Sequence, residues 1–349
     1  MEGDKLNDAH LVARNAQLDA ASLAQWLPKS CLIYVTDARY LPLTLTSLLT
    51  ASQSMPANME AIIFLDDVPE PLRHEAAAFL GNYGVTAELE PFDINTLFAD
   101  TARIPLWREG ISRTGFARLG LCGAPCGYDT HVILDGDTLV GGDLGELVSV
   151  HPSGLAAVST GHASSFWDYL YQDRSLPVAR DYMNAGLMMI NAAMWREERI
   201  SDRCISLVTD RSLDQKLSRP MRDQEILNLV FGKTFHRLNP NWNFQKSRSW
   251  QLPSQRPLIA HFTGHISPWD ERDRRALPVF RKIYTEVFDK MPKAFIPAID
   301  SLRLNGKNLR NAQRFNPSFG RLNFGYKTAW NPANAPMVED WLSLLPWNQ

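Results

Sequence analysis

The feature that most constrains this chain is a rhythm: short apolar runs alternate with segments whose apolar residues recur at helical spacing. Cys31-Leu-Ile-Tyr-Val-Thr36 reads as a buried strand, with Asp37-Ala-Arg39-Tyr40 as the loop after it, and residues 41–53 then carry Leu43, Leu45, Leu48 and Leu49 on one helical face. Residues 61–65 form a second strand. Residues 69–80 form a helix, with proline in the first turn where its missing N–H is harmless. Residues 85–89 form a third strand. Farther on, a helix runs through Phe116, Leu119 and Leu121, strands cover 130–134, 186–190 and 257–260, and helices cover 192–209, 223–230 and 272–288, the first of these capped by Asn191. Strand, helix, strand at this spacing predicts an α/β fold: a Rossmann-like, mostly parallel central sheet with helices on both faces.

The 349 residues exceed one small domain, and 45% hydrophobic with 21% charged residues suffices for a sizeable core. With 36 Lys+Arg against 38 Asp+Glu, no global charge argues for nucleic acid. Four cysteines are too few for a disulfide scaffold, which favours the cytoplasm. No run approaches the ~18 apolar residues of a membrane helix. The start lacks the apolar core of a secretory signal, and Leu11, Leu18, Leu23 and Trp26 suggest an amphipathic helical extension over 1–29. A main domain is expected over 30–290. The remainder, 291–349, is a basic-aromatic extension: within 301–330 lie Arg303, Lys307, Arg310, Arg314, Arg321 and Lys327, interleaved with Phe315, Phe319, Phe324, Tyr326 and Trp330, and no acidic residue. Such a tail suits peripheral contact with an anionic membrane face, or a strap packed on the main domain.

In open α/β sheets ligands sit beyond the carboxyl ends of strands. That singles out Asp37, Arg39, Asp135, Asp137, Asn184 and His261. Asp135-Gly136-Asp137 is the centre of the case, because residues i and i+2 on an extended chain point the same way and two adjacent carboxylates repel unless a cation neutralises them. Oxygen ligands favour Mg²⁺, Mn²⁺ or Ca²⁺, and an added imidazole tilts the choice toward Mn²⁺. The plain alternative is a solvated acidic turn. An EF-hand is excluded by Leu139 and Val140 at its Asp/Asn and Gly positions, although Glu146 falls at position 12. Glycosidase carboxylates flank their bond at about 5 Å or more, unlike adjacent acids at one strand end. The first strand is followed by no G-x-G-x-x-G, which excludes a dinucleotide site. Cys122 and Cys126 lack a second ligand pair for zinc, and His10, His74, His131, His151, His162 and His236 read as structural.

Six blocks stand in order along the chain. They are Thr36-Asp37-Ala-Arg39-Tyr40; Thr114-Gly-Phe-Ala-Arg118-Leu; His131-Val-Ile-Leu-Asp135-Gly136-Asp137; Tyr182-Met-Asn184-Ala185-Gly186 through Asn191, with Trp195; Met221-Arg-Asp223-Gln224-Glu-Ile-Leu-Asn228, then Asn241-Trp-Asn243-Phe244; and His261-Phe-Thr-Gly264-His265-Ile-Ser267-Pro-Trp269. Together they make the chain resemble glycosyltransferase family 8, the retaining GT-A-fold enzymes that include bacterial lipopolysaccharide glucosyl- and galactosyltransferases and glycogenin, over about residues 31–270. In the last block the family carries Lys where this chain has Ser267.

The resemblance implies a UDP-sugar donor, UDP-glucose or UDP-galactose, and a glycan or glycolipid acceptor. It implies Mn²⁺ (or Mg²⁺) held by Asp135, Asp137 and His261. Donor contacts would come from Thr36, Asp37, Arg39, Tyr40, Arg118, Gly136, Ala185, Gly264, His265 and Ser267, with His265 replacing part of the missing lysine. Asn184, Asp223 and Gln224 would line the sugar pocket as the catalytic set. A nucleotide-sugar-binding domain weakened by Ser267 and a UDP-sugar hydrolase remain as alternatives.

Overall fold

The computed structural model describes residues 28–98, 113–159, 182–210, 222–232, 234–245, 257–263, 267–270, 276, 278–303 and 340–347. The expected N-terminal helix, most of the basic-aromatic tail, and Gly264 and His265 lie outside the described residues.

A seven-stranded sheet has the order β3-β2-β1-β4-β7-β6-β8. Its strands are β1 (Ser30–Asp37), β2 (Met59–Asp66), β3 (Glu88–Phe92), β4 (Thr130–Leu134), β6 (Leu155–Ser159), β7 (Met183–Asn191) and β8 (His236–Arg237). The pairs β1–β2, β1–β4, β2–β3 and β6–β8 are parallel; β7 is antiparallel to both β4 and β6. A smaller sheet has β10 (Ile259–His261) antiparallel to β5 (Thr138–Val140) and parallel to β9 (Phe244–Gln245).

The side-chain period of two sorts each central strand between two cores. Leu32 and Tyr34 of β1 and Leu187 and Met189 of β7 join one cluster, whereas Cys31, Ile33, Met188 and Ile190 join the other. The first cluster is covered by α1 (Leu41–Ala51), α2 (Glu70–Gly81) and, farther along the chain, a helix at Pro278–Lys290; Phe295, Ile299, Leu302, Trp341 and Leu345 pack into it as well. The second is covered by α4 (Arg118–Leu121), α6 (Ala192–Glu197), α7 (Ile200–Thr209) and α8 (Asp223–Phe231). Two short helices, α3 (Ile94–Leu97) and α5 (Leu144–Val148), complete the order before the helix at Pro278–Lys290, which is α9.

Three of the differences from the sequence pattern have a local physical cause. Val85 does not start a strand: its N–H donates to Leu80 O at 3.1 Å while Gly84 sits at φ +70. This is a Schellman closure of α2, where glycine takes the left-handed position without a Cβ clash. The expected single helix over 192–209 breaks at Arg199, whose φ of +51 turns the chain so that Trp195 and Ile200 both reach the core. β5 was not expected; it forms because His261 pairs with Thr138 and Phe262 N donates to Asp137 O at 3.0 Å.

Candidate active site

β4 ends at Leu134, and the chain turns through Asp135-Gly136-Asp137 before β5. The turn lies tight on α1: a Cβ on Gly136 would sit 2.4 Å from Thr44 Oγ1, so only glycine fits between the two acids. Buried hydroxyls hold this arrangement. Thr138 Oγ1 donates to Asp135 O at 2.8 Å and is 2.7 Å from Ser47 Oγ, which is 2.9 Å from Tyr34 Oη; Val140 N donates to Thr50 Oγ1 at 3.0 Å. These contacts explain why α1 carries Thr44, Ser47 and Thr50 in a helix whose every residue is buried.

β10 then delivers His261 from the second sheet. Its Nε2 lies 3.4 Å from Asp135 Oδ2 and 3.3 Å from Asp137 Oδ1. One ligand atom from each of the three residues falls within 4.8 Å of the others. The imidazole is 3% exposed, whereas the two carboxylates keep 25% and 23% of their side-chain surface open. Burial alone would lower the His261 pKa, but Asp137 and Asp135 outweigh it and push the imidazole up to about 9. Burial alone would raise Asp135; the Arg118 guanidinium and His261 outweigh it and hold the carboxyl well below the usual range.

Arg118 sits between the acids. It donates to Asp135 Oδ1, to Ala185 O at 2.8 Å and to Gly115 O at 3.1 Å, and its Nε forms an ion pair with Asp223 Oδ2 at 2.9 Å. Burial raises the Asp223 carboxyl against the pull of Arg118, and Asp135 adds to the rise. Thr114, just upstream, donates to Asp66 Oδ2 at the end of β2, and Asp66 Oδ1 accepts from Ile94 N at 3.2 Å, which pins the segment carrying Gly115 and Arg118.

Val35, Thr36, Asp37, Tyr40, Thr44, Thr114, Gly115, Arg118, Asp135, Gly136 and Asp137 enclose a cavity of about 270 Å³. Asp37 Oδ1 accepts from Tyr40 N at 2.9 Å and so shapes the entry to α1. The structure thus gathers Thr36, Asp37, Tyr40, Arg118, Asp135, Gly136 and Asp137 around one cavity. Arg39 does not line it; its guanidinium lies 5.5 Å from the centre of the Tyr40 ring. Ser267 also stands outside the lining, in a turn where its carbonyl accepts from Asp270 N at 2.9 Å.

Asn184, Ala185 and Gln224 sit beside the triad as an amide cluster. Pairing of β6 with β7 jumps from Ala157↔Met188 to Val158↔Asn184, a bulge that leaves Ala185, Gly186 and Leu187 without partners on β6. The released N–H groups turn to side chains: Ala185 N donates to Gln224 Oε1 at 3.0 Å, and Gly186 N to Asn184 Oδ1 at 3.0 Å. Gln224 Nε2 donates to Tyr182 Oη at 2.9 Å, and Tyr182 Oη to Glu225 Oε1 at 3.5 Å. The part played by Asn243, which joins this cluster to His261, is not visible from the sequence blocks alone; its only signal there is the Asn-x-Asn spacing of 241 and 243.

Two carboxylates facing a buried imidazole whose Nε2 points at them form a donor set that fits Mn²⁺ or Mg²⁺. Comparisons place the fold. The galactosyltransferase LgtC, solved in complex with donor and acceptor sugar analogues, aligns with a TM-score of 0.62 at 21% identity over 77% of this chain and 99% of that one. The architecture is therefore the GT-A fold. Among sequence relatives, the lipopolysaccharide glucosyltransferase WaaO of Escherichia coli K12 is 24% identical over 148 residues, 40% of this chain and 43% of that one. The lipopolysaccharide 1,3-galactosyltransferase of Salmonella typhimurium is 24% identical over 151 residues, 40% and 44% of the two chains. The matched stretch thus spans less than half the length of these two relatives. The model of glycosyl transferase family 8 matches residues 31–273, from the first strand past the last sequence block. With most of its length inside that match, this chain belongs to glycosyltransferase family 8.

Proposed function

We propose that the chain is a metal-dependent retaining glycosyltransferase that moves a hexose from a UDP-sugar, UDP-glucose or UDP-galactose, to a lipopolysaccharide-like glycan or glycolipid. The observation that carries this reading is the convergence of Asp135, Asp137 and His261 at the rim of a cavity walled by Thr36, Asp37 and Tyr40. The cavity would take the uracil and ribose of the donor, and the triad would hold Mn²⁺ or Mg²⁺. When bound, such an ion neutralises the diphosphate and stabilises UDP as it leaves.

The chain's own groups do the remaining work. Arg118, paired with both Asp135 and Asp223, would set their spacing and offset the repulsion between the two carboxyl groups. Gln224 is a poor nucleophile by chemistry, and its amide is engaged at both ends: the oxygen accepts two hydrogen bonds and the nitrogen donates to Tyr182. That favours a front-face transfer, in which the acceptor hydroxyl attacks from the side of the departing UDP and gives its proton to a phosphate oxygen. Asn184 and Asp223 would then hold the sugar hydroxyls.

Calorimetric titration of UDP with and without Mn²⁺, followed by UDP release from UDP-glucose and UDP-galactose in the presence of a lipopolysaccharide-core acceptor, tests the reading. Metal-dependent UDP binding with acceptor-dependent release is expected. UDP binding that ignores Mn²⁺ refutes the metal assignment, and release at full rate without acceptor makes the chain a hydrolase. Ser267, where the family carries lysine, favours a second reading: binding without turnover. Tight UDP binding with no release from either donor would establish it.

A further inference from the structure

The ring of His261 is held by neutral amides, and their orientation follows from groups that can only donate. Gly186 N and Ala185 N, freed by the bulge in β7, fix the oxygens of Asn184 and Gln224. With the Asn184 oxygen fixed, the Asn243 atom that meets it at 2.8 Å must be the amide nitrogen. The Asn243 oxygen therefore faces His261 Nδ1 at 2.9 Å, and Nδ1 carries the proton. Nε2 faces Asp135 and Asp137, so it is the nitrogen whose proton a cation would displace to join their oxygens. Beyond Asn184 the chain continues through its Nδ2 to Gln224 Oε1 at 2.9 Å and on to Tyr182, with each side-chain bond donating away from the imidazole.

We propose that Asn243 is a positioning residue for metal binding: it fixes the Nδ1–H tautomer and the ring plane of His261 and ties that ring to Asn184 and Gln224. The proposal rests on the metal-dependent reading above. Asn243 is buried, so no bulk water stands ready to replace it. The ring has little room to choose another pose, since a Cβ on Gly186 would lie 1.9 Å from its Cε1. Both ends of the Asn243 amide are used. A carboxylate there would serve the imidazole but could not donate to Asn184, and an alkyl group would serve neither.

The test is Mn²⁺ alone, with bound and free ion resolved by electron paramagnetic resonance on the full chain. Loss of a group that orients a metal-bound histidine costs about 10–100-fold in metal affinity. Asn243→Leu, close in volume, and Asn243→Ala should each weaken Mn²⁺ by that factor. Asn243→Asp, which still accepts from Nδ1, should bind within about threefold of the native chain or tighter. A residue that only fills space would not separate Asp from Leu. Native affinity in Asn243→Leu, while Asp137→Ala loses binding, overturns this proposal and leaves the metal reading standing. A native chain that does not bind Mn²⁺ overturns both. If circular dichroism shows that Leu and Ala variants do not fold, Asn243→Asp decides, and a loss beyond tenfold there refutes the proposal.

Discussion

The two halves of the central sheet build the site in different ways. In the parallel half, the acids stand at carboxyl ends: Asp37 closes β1, Asp66 closes β2 and Asp135 follows β4. In the antiparallel half, Leu134 of β4 pairs with Leu187 of β7, so the amino end of β7 stands beside Asp135 and contributes Tyr182, Asn184, Ala185 and Gly186. The first half supplies charge: Asp37 and Asp135 line the cavity, while Asp66 pins the segment that carries Arg118. The second supplies neutral amides locked by backbone N–H groups. Charge placement tolerates loops, because Coulomb attraction is not directional. Amide geometry needs fixed partners, because each hydrogen bond has a direction, and the backbone N–H groups of β7 supply them to Asn184 on the strand and to Gln224 on α8.

The largest expected effect removes charge from the parallel half. Asp137→Ala should abolish Mn²⁺-dependent UDP binding and transfer, by a factor of at least about 10² at a fixed Mn²⁺ concentration, on the 10–100-fold scale of disturbing metal sites. The fold should survive, since the carboxylate is partly open to solvent and lies past the strand end. Equal Mn²⁺-dependent transfer in this variant and the native chain would remove the charged half from the mechanism.

Next in size is the seam where the halves meet. Gly186→Ala would drive a methyl into the His261 ring and should destabilise the chain by about 1–3 kcal/mol, as overpacking does, with loss of Mn²⁺ binding. Thermal unfolding and a metal titration check both. An unchanged melting temperature would mean that the ring can move aside, and that the seam is loose.

The electrostatics of the same imidazole predict a pH dependence. In the metal-free chain His261 is pushed up to about 9, above the ~6.5 of an unfolded histidine. Its contribution to stability is therefore complete below pH ~6.5 and is lost as the pH rises through about 9. Mn²⁺ must displace that proton. Metal affinity should rise with pH up to about 9, by as much as tenfold per unit, with about one proton released. Titrations in buffers of different ionisation enthalpy would count it. Affinity independent of pH between 7 and 9 would show that the imidazole is already neutral.

Much of the parallel half was legible in the sequence, because short apolar runs and the acids that end them lie close together in the chain. The Asp135-Gly136-Asp137 turn needs only three residues to be read. The antiparallel half was less legible. Nothing local says that β7 runs against β4, and the bulge opposite Ala185 depends on pairing with β6, far away in sequence. Asn243 lies in one of the sequence blocks, but nothing local reveals its role, since its partners His261 and Asn184 are 18 and 59 residues away. The break at Arg199 was hidden because the pattern on either side is helical, and only the need to bury both Trp195 and Ile200 forces it.

The smallest expected effect lies at the far end of the amide chain and asks how deep its rigidity runs. Tyr182→Phe deletes the hydroxyl that accepts from Gln224 Nε2 and donates to Glu225 Oε1. The aromatic ring, itself buried, is kept. Glu225 still accepts from Arg222 N, so its carboxylate is not stranded. Gln224 Oε1 still accepts from Ala185 N and Asn184 Nδ2, so the amide does not turn over. The loss is two hydrogen bonds, the one to Glu225 long, roughly 1–2 kcal/mol of stability, and Mn²⁺ affinity should stay within about twofold. Denaturant unfolding and the metal titration read the two quantities separately. If Tyr182→Phe instead weakens Mn²⁺ tenfold, backbone N–H groups of β7 are not what fixes the amides. The neutral half would then be held from the Glu225 end, and the contrast between the two halves of the sheet would have to be redrawn around α8.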